Sequence, residues 1–272
     1  MCKMSMIILK GEIFMAYTYP DKGDKLTCQL INEFDGRYWE KSEERVLNLA
    51  LEAVQKLRNE RLADGTDKIR LLDLGCGMGR LFSVFLPHVD EIVAAEPDAL
   101  RFAGAKAAGI AAALKYKKPV KVVHGDSSVV EGKFDIVLSS HVLQHIQTWT
   151  ARELMETMSD FIEPGGLLIL TTTHTAGETD LFFREEWQDR KRLSTAIDME
   201  QFNAAYSEEG VLPVRMFAAV TITGMAAEAG FELLEISRYH YEGHGLAAED
   251  RSANEAVDYS GARDILYIFT RK

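Results

Sequence analysis

Residues 71–80 read Leu-Leu-Asp-Leu-Gly-Cys-Gly-Met-Gly-Arg: an apolar strand pattern running into three alternate glycines. Glycine lets the main chain take positive φ and lets a ligand approach it closely. Asp73 stands just before the turn. A turn lined by main chain beside a carboxylate suits a ligand with an ammonium group more than a pyrophosphate. The spacing of Gly75, Gly77 and Gly79 is GxGxG, and Arg80 stands where a dinucleotide fingerprint needs its third glycine. A P-loop is excluded, because no Gly-Lys-Ser/Thr follows. A second carboxylate, Glu96, ends the next apolar run about twenty residues on, where such a group can take both hydroxyls of a ribose. Its alternative is to cap the helix after Pro97, for which Asp98 is better placed.

Other polar residues fall at the ends of apolar runs. Asp126 in His-Gly-Asp-Ser-Ser can meet a ligand or merely start an Asx-turn. His174 ends a strand-like run, at the edge where a substrate is expected, and is the first candidate for a general base. His141 is the second; the alternative for His174 is a solvated loop histidine. His141 and His145 are spaced i, i+4, but no third ligand accompanies them and HExxH is absent, so no metal site is expected. Cys76 sits inside the glycine turn and reads as a packing residue rather than a nucleophile. Phe182, Phe183 and Trp187 form an apolar face that either packs in a core or lines an acceptor pocket. Arg215 either contacts an acidic acceptor or caps a lid.

The elements that must position these residues alternate in type. A helical pattern covers Lys41–Arg61 and ends near Gly65. Strands are expected over Ile69–Leu74, Glu91–Ala95, Val120–Val123, Phe134–Leu138 and Leu167–Thr172, with helices over Leu81–Leu86, Ala99–Leu114 and Thr150–Ile162 between them. This βαβα rhythm implies a doubly wound α/β fold with helices on both faces of a parallel sheet. It breaks at residues 175–214, which form an insertion read as a lid or substrate element, helical around Leu181–Arg190 and Met199–Tyr206. A helix near Ile222–Ala229 stops at Gly230, and strands over Phe231–Tyr241 and Asp264–Thr270 should pair antiparallel. Residues 1–35 read as an N-terminal extension or arm, and Met15 offers an alternative start.

With 31 Lys+Arg against 42 Asp+Glu, the net charge is −11. That balance disfavours polyanionic partners, nucleic acid and anionic membrane alike. No apolar run nears the roughly 18–20 residues needed to span a bilayer, and no secretory leader pattern opens the chain, so cytoplasmic residence is the expectation. Three cysteines, Cys2, Cys28 and Cys76, form neither a disulfide framework nor a CxxC site.

In order, "LLDLGCGMGR", "VAAEPD", "HGDSS", "FDIVLSSHVLQHI", "PGGLLIL", "AGFELLEI" and "DILYIFTRK" resemble the successive strand motifs of the class I S-adenosylmethionine-dependent methyltransferases, over roughly residues 36–272. The resemblance implies a seven-stranded sheet of order 3-2-1-4-5-7-6 with strand 7 antiparallel. It implies that Asp73, Gly75, Cys76, Gly77 and Gly79 surround the methionine part of the cofactor. Glu96 and Pro97 would lie at the ribose, Asp126 and Ser127 at the adenine, and Ser140 and His141 at the reacting end. Tyr38 and Trp39, in "FDGRYWEKS", resemble the family's N-terminal stretch that closes over the cofactor. The implied activity is in-line methyl transfer to a small-molecule acceptor at an O, N, S or C atom, with Phe182, Trp187 and Arg215 toward that acceptor. The alternatives are a basic peptide as acceptor or a non-catalytic cofactor-binding module. Nucleic-acid methylation is disfavoured, because Ser139-Ser140-His141-Val142 stands where an Asn/Asp-Pro-Pro-Tyr/Phe tetrad would be.

Overall fold

A computed structural model of the chain describes residues 7–9, 12–14, 37–65, 68–188, 191–206, 208, 210–241 and 262–272. Strands β1 (Ile7–Leu9) and β2 (Glu12–Phe14) form an antiparallel hairpin outside the main sheet. Most of the expected N-terminal arm lies outside the described residues. Helix α1 (Arg37–Ala63) turns Val46, Ala50, Val54 and Leu57 inward, spaced for one helix face and each 4% exposed or less. It ends before Gly65, whose φ of 84° is the left-handed turn that stops a helix.

The main sheet grows from apolar runs with no polar face, as strands covered on both sides require. Its first members are β3 (Arg70–Leu74), β4 (Glu91–Glu96), β5 (Val120–His124), β6 (Phe134–Ser140) and β7 (Ile162–Thr175). The single turn α2 (Phe82–Phe85), α3 (Ala99–Tyr116) and α4 (Thr148–Phe161) connect them. Asp98 caps α3 by accepting from the Arg101 N–H at 2.8 Å. After β7 come β8 (Leu181–Gln188), β9 (Lys191–Ile197), α5 (Met199–Ala205), β10 (Val211–Ala218), α6 (Ala219–Glu228), β11 (Phe231–Tyr241) and β12 (Ala262–Arg271).

The central order is β5-β4-β3-β6-β7-β12-β11, parallel from β5 to β7, with β12 antiparallel to β7 and to β11. This is the expected 3-2-1-4-5-7-6 arrangement with its seventh strand reversed. Helices α1 and α3 cover one face, over Leu71, Ile136, Leu138 and Ile169. Helices α4 and α6 cover the other, over Val137, Leu168, Leu170 and Tyr267. Among the described residues no helix is long and apolar enough to cross a membrane.

One element departs from expectation. Of the segment expected to be helical around Leu181–Arg190, the described part, Leu181–Gln188, is strand β8, which pairs antiparallel with β10 along one edge and with β9 along the other. Those ladders satisfy its backbone groups on both sides, and this pairing overrides the helical spacing of Phe183 and Trp187. The expected helix at Met199–Tyr206 does form as α5, with a capping box between Asp198 and Gln201. This branch joins β7 through β10 at only two register pairs, Phe217↔His174 and Ala218↔Thr175.

Candidate active site

The glycine turn sits at the carboxyl end of β3 and is tied to β4. The Ala95 carbonyl accepts from the Gly75 N–H at 2.9 Å and the Cys76 N–H at 3.2 Å. The Glu96 carboxylate accepts from the Gly77 N–H at 2.8 Å and the Asp98 N–H at 3.0 Å. Gly75, Gly77 and Gly79 all have positive φ, but for different surroundings. A Cβ on Gly75 would lie 2.4 Å from Val142 Cγ2, whereas one on Gly77, at φ 57°, would meet nothing within 4 Å. Gly77 therefore faces open space where a ligand can reach the main chain.

Two buried carboxyls flank that space. Asp73 is 2% exposed, and burial pushes its carboxyl up to about 7, opposed by the Arg80 guanidinium and reinforced by Glu96. Glu96, also 2% exposed, is raised by burial against the two backbone donors that hold it. A cationic ligand beside these two buried carboxyls would favour their ionised forms and offset the effect of burial. Burial first, then Asp73 and Glu96, also raises the Cys76 thiol, so it stays protonated and is no nucleophile. The Pro97 carbonyl meets His124 Nε2 at 3.0 Å. Asp126 is exposed and accepts from the Ser128 N–H at 2.8 Å, capping a short turn that begins at the half-buried Ser127. The side chains of Tyr38 and Trp39, in the first turn of α1, lie outside the described residues.

Beyond β6 the chain bends sharply. Ser140 Oγ lies 2.8 Å from Thr171 Oγ1, and His141 takes a left-handed φ of 57°. Such a backbone is uncommon outside glycine and is retained where the surroundings enforce it. Here the His141 N–H is held by the Thr171 carbonyl at 2.9 Å. The imidazole is met by three groups. Gln144 Nε2 lies 3.0 Å from Nδ1, the Tyr239 hydroxyl 3.2 Å from Nε2, and the buried Asp264 carboxylate 4.0 Å from Nδ1. His145 does other work: its Nδ1 contacts the Pro213 carbonyl at 3.0 Å and docks β10.

His174 is no solvated loop residue. It is 2% exposed, and Arg238 Nε donates to its Nε2 at 3.1 Å. Burial and the Arg238 charge push its pKa down to about 4, which the Phe217 backbone and Asp264 only partly oppose. Arg215 is 7% exposed and is held by Asp180, whose Oδ2 accepts from Nε at 2.8 Å and from Nη2 at 2.5 Å. Asp180 Oδ1 accepts from the Ala218 N–H and the Thr221 hydroxyl, each at 2.8 Å. The guanidinium also lies 4.3 Å from the Phe217 ring centroid and 5.6 Å from that of Phe182. The Trp187 side chain lies outside the described residues. Among the described residues no group of three or more His, Cys, Asp or Glu could hold a metal ion.

Sequence reasoning did not find Gln144, Asp180, Arg238, Tyr239 or Asp264. A charged residue opening an otherwise apolar strand, as in Asp264-Ile265-Leu266, was the one signal available.

Comparison with known proteins accords with this geometry. The methyltransferase-domain family matches residues 38–236, most of the chain. The chain belongs to that family. Its fold is that of the class I, Rossmann-like S-adenosylmethionine-dependent methyltransferases. An S-adenosylmethionine-dependent methyltransferase from Clostridium acetobutylicum superposes with a TM-score of 0.54 at 13% identity, covering 90% of this chain and 96% of that one. Magnesium protoporphyrin IX methyltransferase from Synechocystis, solved with bound S-adenosylhomocysteine, gives 0.54 at 14% identity over 92% and 96%. The ubiquinone biosynthesis O-methyltransferase of Nitrobacter winogradskyi is 30% identical over 115 residues, 42% of each chain. The chain thus aligns with about two fifths of the length of the curated relatives it matches.

Proposed function

We propose that this methyltransferase transfers a methyl group from S-adenosylmethionine to a hydroxyl of a small-molecule acceptor. The cofactor supplies a methyl already activated by its sulfonium. The residues present fit it: a positive-φ Gly77 with open space above, and the two buried carboxyls Asp73 and Glu96 beside it. Asp73, Gly75, Cys76 and Gly77 would hold its amino-acid portion, Glu96 and Pro97 its ribose, and Asp126 and Ser127 its adenine. The main task left to the protein is alignment and exclusion of water, which can contribute up to roughly 7–11 kcal/mol.

The observation that carries the choice of acceptor is His141. It stands at the carboxyl end of β6, held by its left-handed backbone, and Asp264, 1% exposed, faces its Nδ1. A hydroxyl acceptor must lose a proton, and a positioned histidine is the common base for that step. On taking the proton, His141 becomes a cation opposite the Asp264 carboxylate. His174 is less suited, since a base with a pKa near 4 has little driving force at neutral pH. The names of the curated relatives, O-methyltransferases, point the same way. Strands β8 to β10, with Phe182 and Arg215, would form the acceptor side.

The test is to offer radiolabelled S-adenosylmethionine with a panel of catechols, matched anilines and thiols, and basic peptides. Label moving into catechol methyl ethers, and lost with His141→Ala, is the expected result. Label moving only into anilines, thiols or peptides would overturn the hydroxyl reading.

A further inference from the structure

On the α4/α6 face of the sheet, two strands each bring a buried hydrogen-bond donor with no acceptor. Arg215 on β10 leaves Nη1 buried and unpartnered, although Nε and Nη2 are engaged. Tyr267 on β12, 0% exposed, leaves its hydroxyl unpartnered. His174 on β7 accepts from Arg238 at Nε2, so its proton resides on Nδ1, where the Phe217 backbone attracts it. The side chains belong to one neighbourhood. Phe217 pairs in register with His174, and Arg215 stacks on Phe217. Arg238 and Asp180 both act electrostatically on Tyr267, and Asp180 holds Arg215. The nearby carboxylate does not answer the two donors. Asp180 already accepts four hydrogen bonds, from two Arg215 nitrogens, the Ala218 N–H and the Thr221 hydroxyl, which fills its lone-pair sites.

Buried donors without an acceptor are rare and costly, and polar groups fixed this way commonly await a partner. The pair is rich in donors, and the Phe182 and Phe217 rings flank Arg215. It connects to the methyl-transfer end through Thr172, whose hydroxyl donates to Gln144 Oε1 at 3.0 Å while Gln144 Nε2 contacts His141. We propose that Arg215 and Tyr267 form a subsite for a carboxylate carried by an aromatic methyl acceptor. The proposal rests on the methyl-transfer reading above and names its substrate class.

The test is titration of the full chain, saturated with S-adenosylhomocysteine, with benzoate, phenylacetate and 3,4-dihydroxybenzoate against their neutral amides. At least one carboxylate should bind ten-fold or more tighter than its amide, with the preference lost in Tyr267→Phe and in Arg215→Met. Tyr267→Phe removes only a hydroxyl and leaves the Arg215–Asp180 pair intact, so it carries the result if Arg215→Met fails to fold. No preference in the native chain, or a preference undiminished in Tyr267→Phe, would overturn the subsite. Failure of S-adenosylhomocysteine itself to bind would instead overturn the methyl-transfer reading.

Discussion

The two halves of the site are built by different means. At the glycine turn the main chain does the positioning: positive-φ glycines, the Ala95 carbonyl and backbone donors onto Glu96. At the end of β7 side chains do it, through Asp180, Arg215, His174 and Arg238 drawn from separate elements. A site made of backbone must keep its local sequence pattern. One made of long-range side-chain contacts can be assembled from residues with no common spacing.

That contrast can be broken by mutation. The largest effect is expected on turnover: His141→Ala should lower kcat by about 10²–10⁴-fold while S-adenosylhomocysteine affinity, read by calorimetry, stays unchanged. A comparable loss of affinity would move His141 to the cofactor half. Next comes stability. Asp180→Ala strips the buried Arg215 of its carboxylate and should cost about 3–5 kcal/mol in urea unfolding, the usual result of orphaning a buried charge. A change under 1 kcal/mol would mean the branch is held mainly by its strand ladders.

A glycine pair sharpens the cofactor half. Gly75→Ala drives a Cβ against Val142, so its melting temperature should fall clearly. Gly77→Ala meets only left-handed strain, about 1–2 kcal/mol, so the protein should stay folded yet lose most of its affinity for S-adenosylhomocysteine. Equal melting temperatures for the two variants would contradict the geometry. The smallest effect is on pH. Asp73 has its carboxyl raised to about 7 in the folded protein, and an ammonium ligand favours the ionised form. Affinity should therefore tighten up to about five-fold as pH rises from 6 to 7, gain up to about two-fold more by pH 8 and level off above, with Asp73→Asn flat across that range. For stability the sign is opposite: the raised group costs increasingly as pH climbs from its unfolded value to about 7, so Asp73→Asn should gain stability at neutral pH.

The same contrast explains what could be read in advance. Gly75, Gly77, Asp73 and Glu96 were legible because each lies within a strand-to-turn pattern whose residues are local. Their burial was not, since it depends on the sheet around them. His141 was visible only as a histidine after an apolar run, while Tyr239 and Asp264 arrive from strands about a hundred residues further along the chain. The misread segment at Leu181–Gln188 has weak local preference, and its form was decided by β9 and β10.

The junction at Phe217↔His174 and Ala218↔Thr175 has a consequence for how this protein can change over generations. Because the branch carries its own ladders and shares only those two rungs with the sheet, a loop in it can lengthen or vary without shifting any pairing that shapes the glycine turn. New acceptors can thus be acquired while the chemistry of the methyl donor is inherited intact.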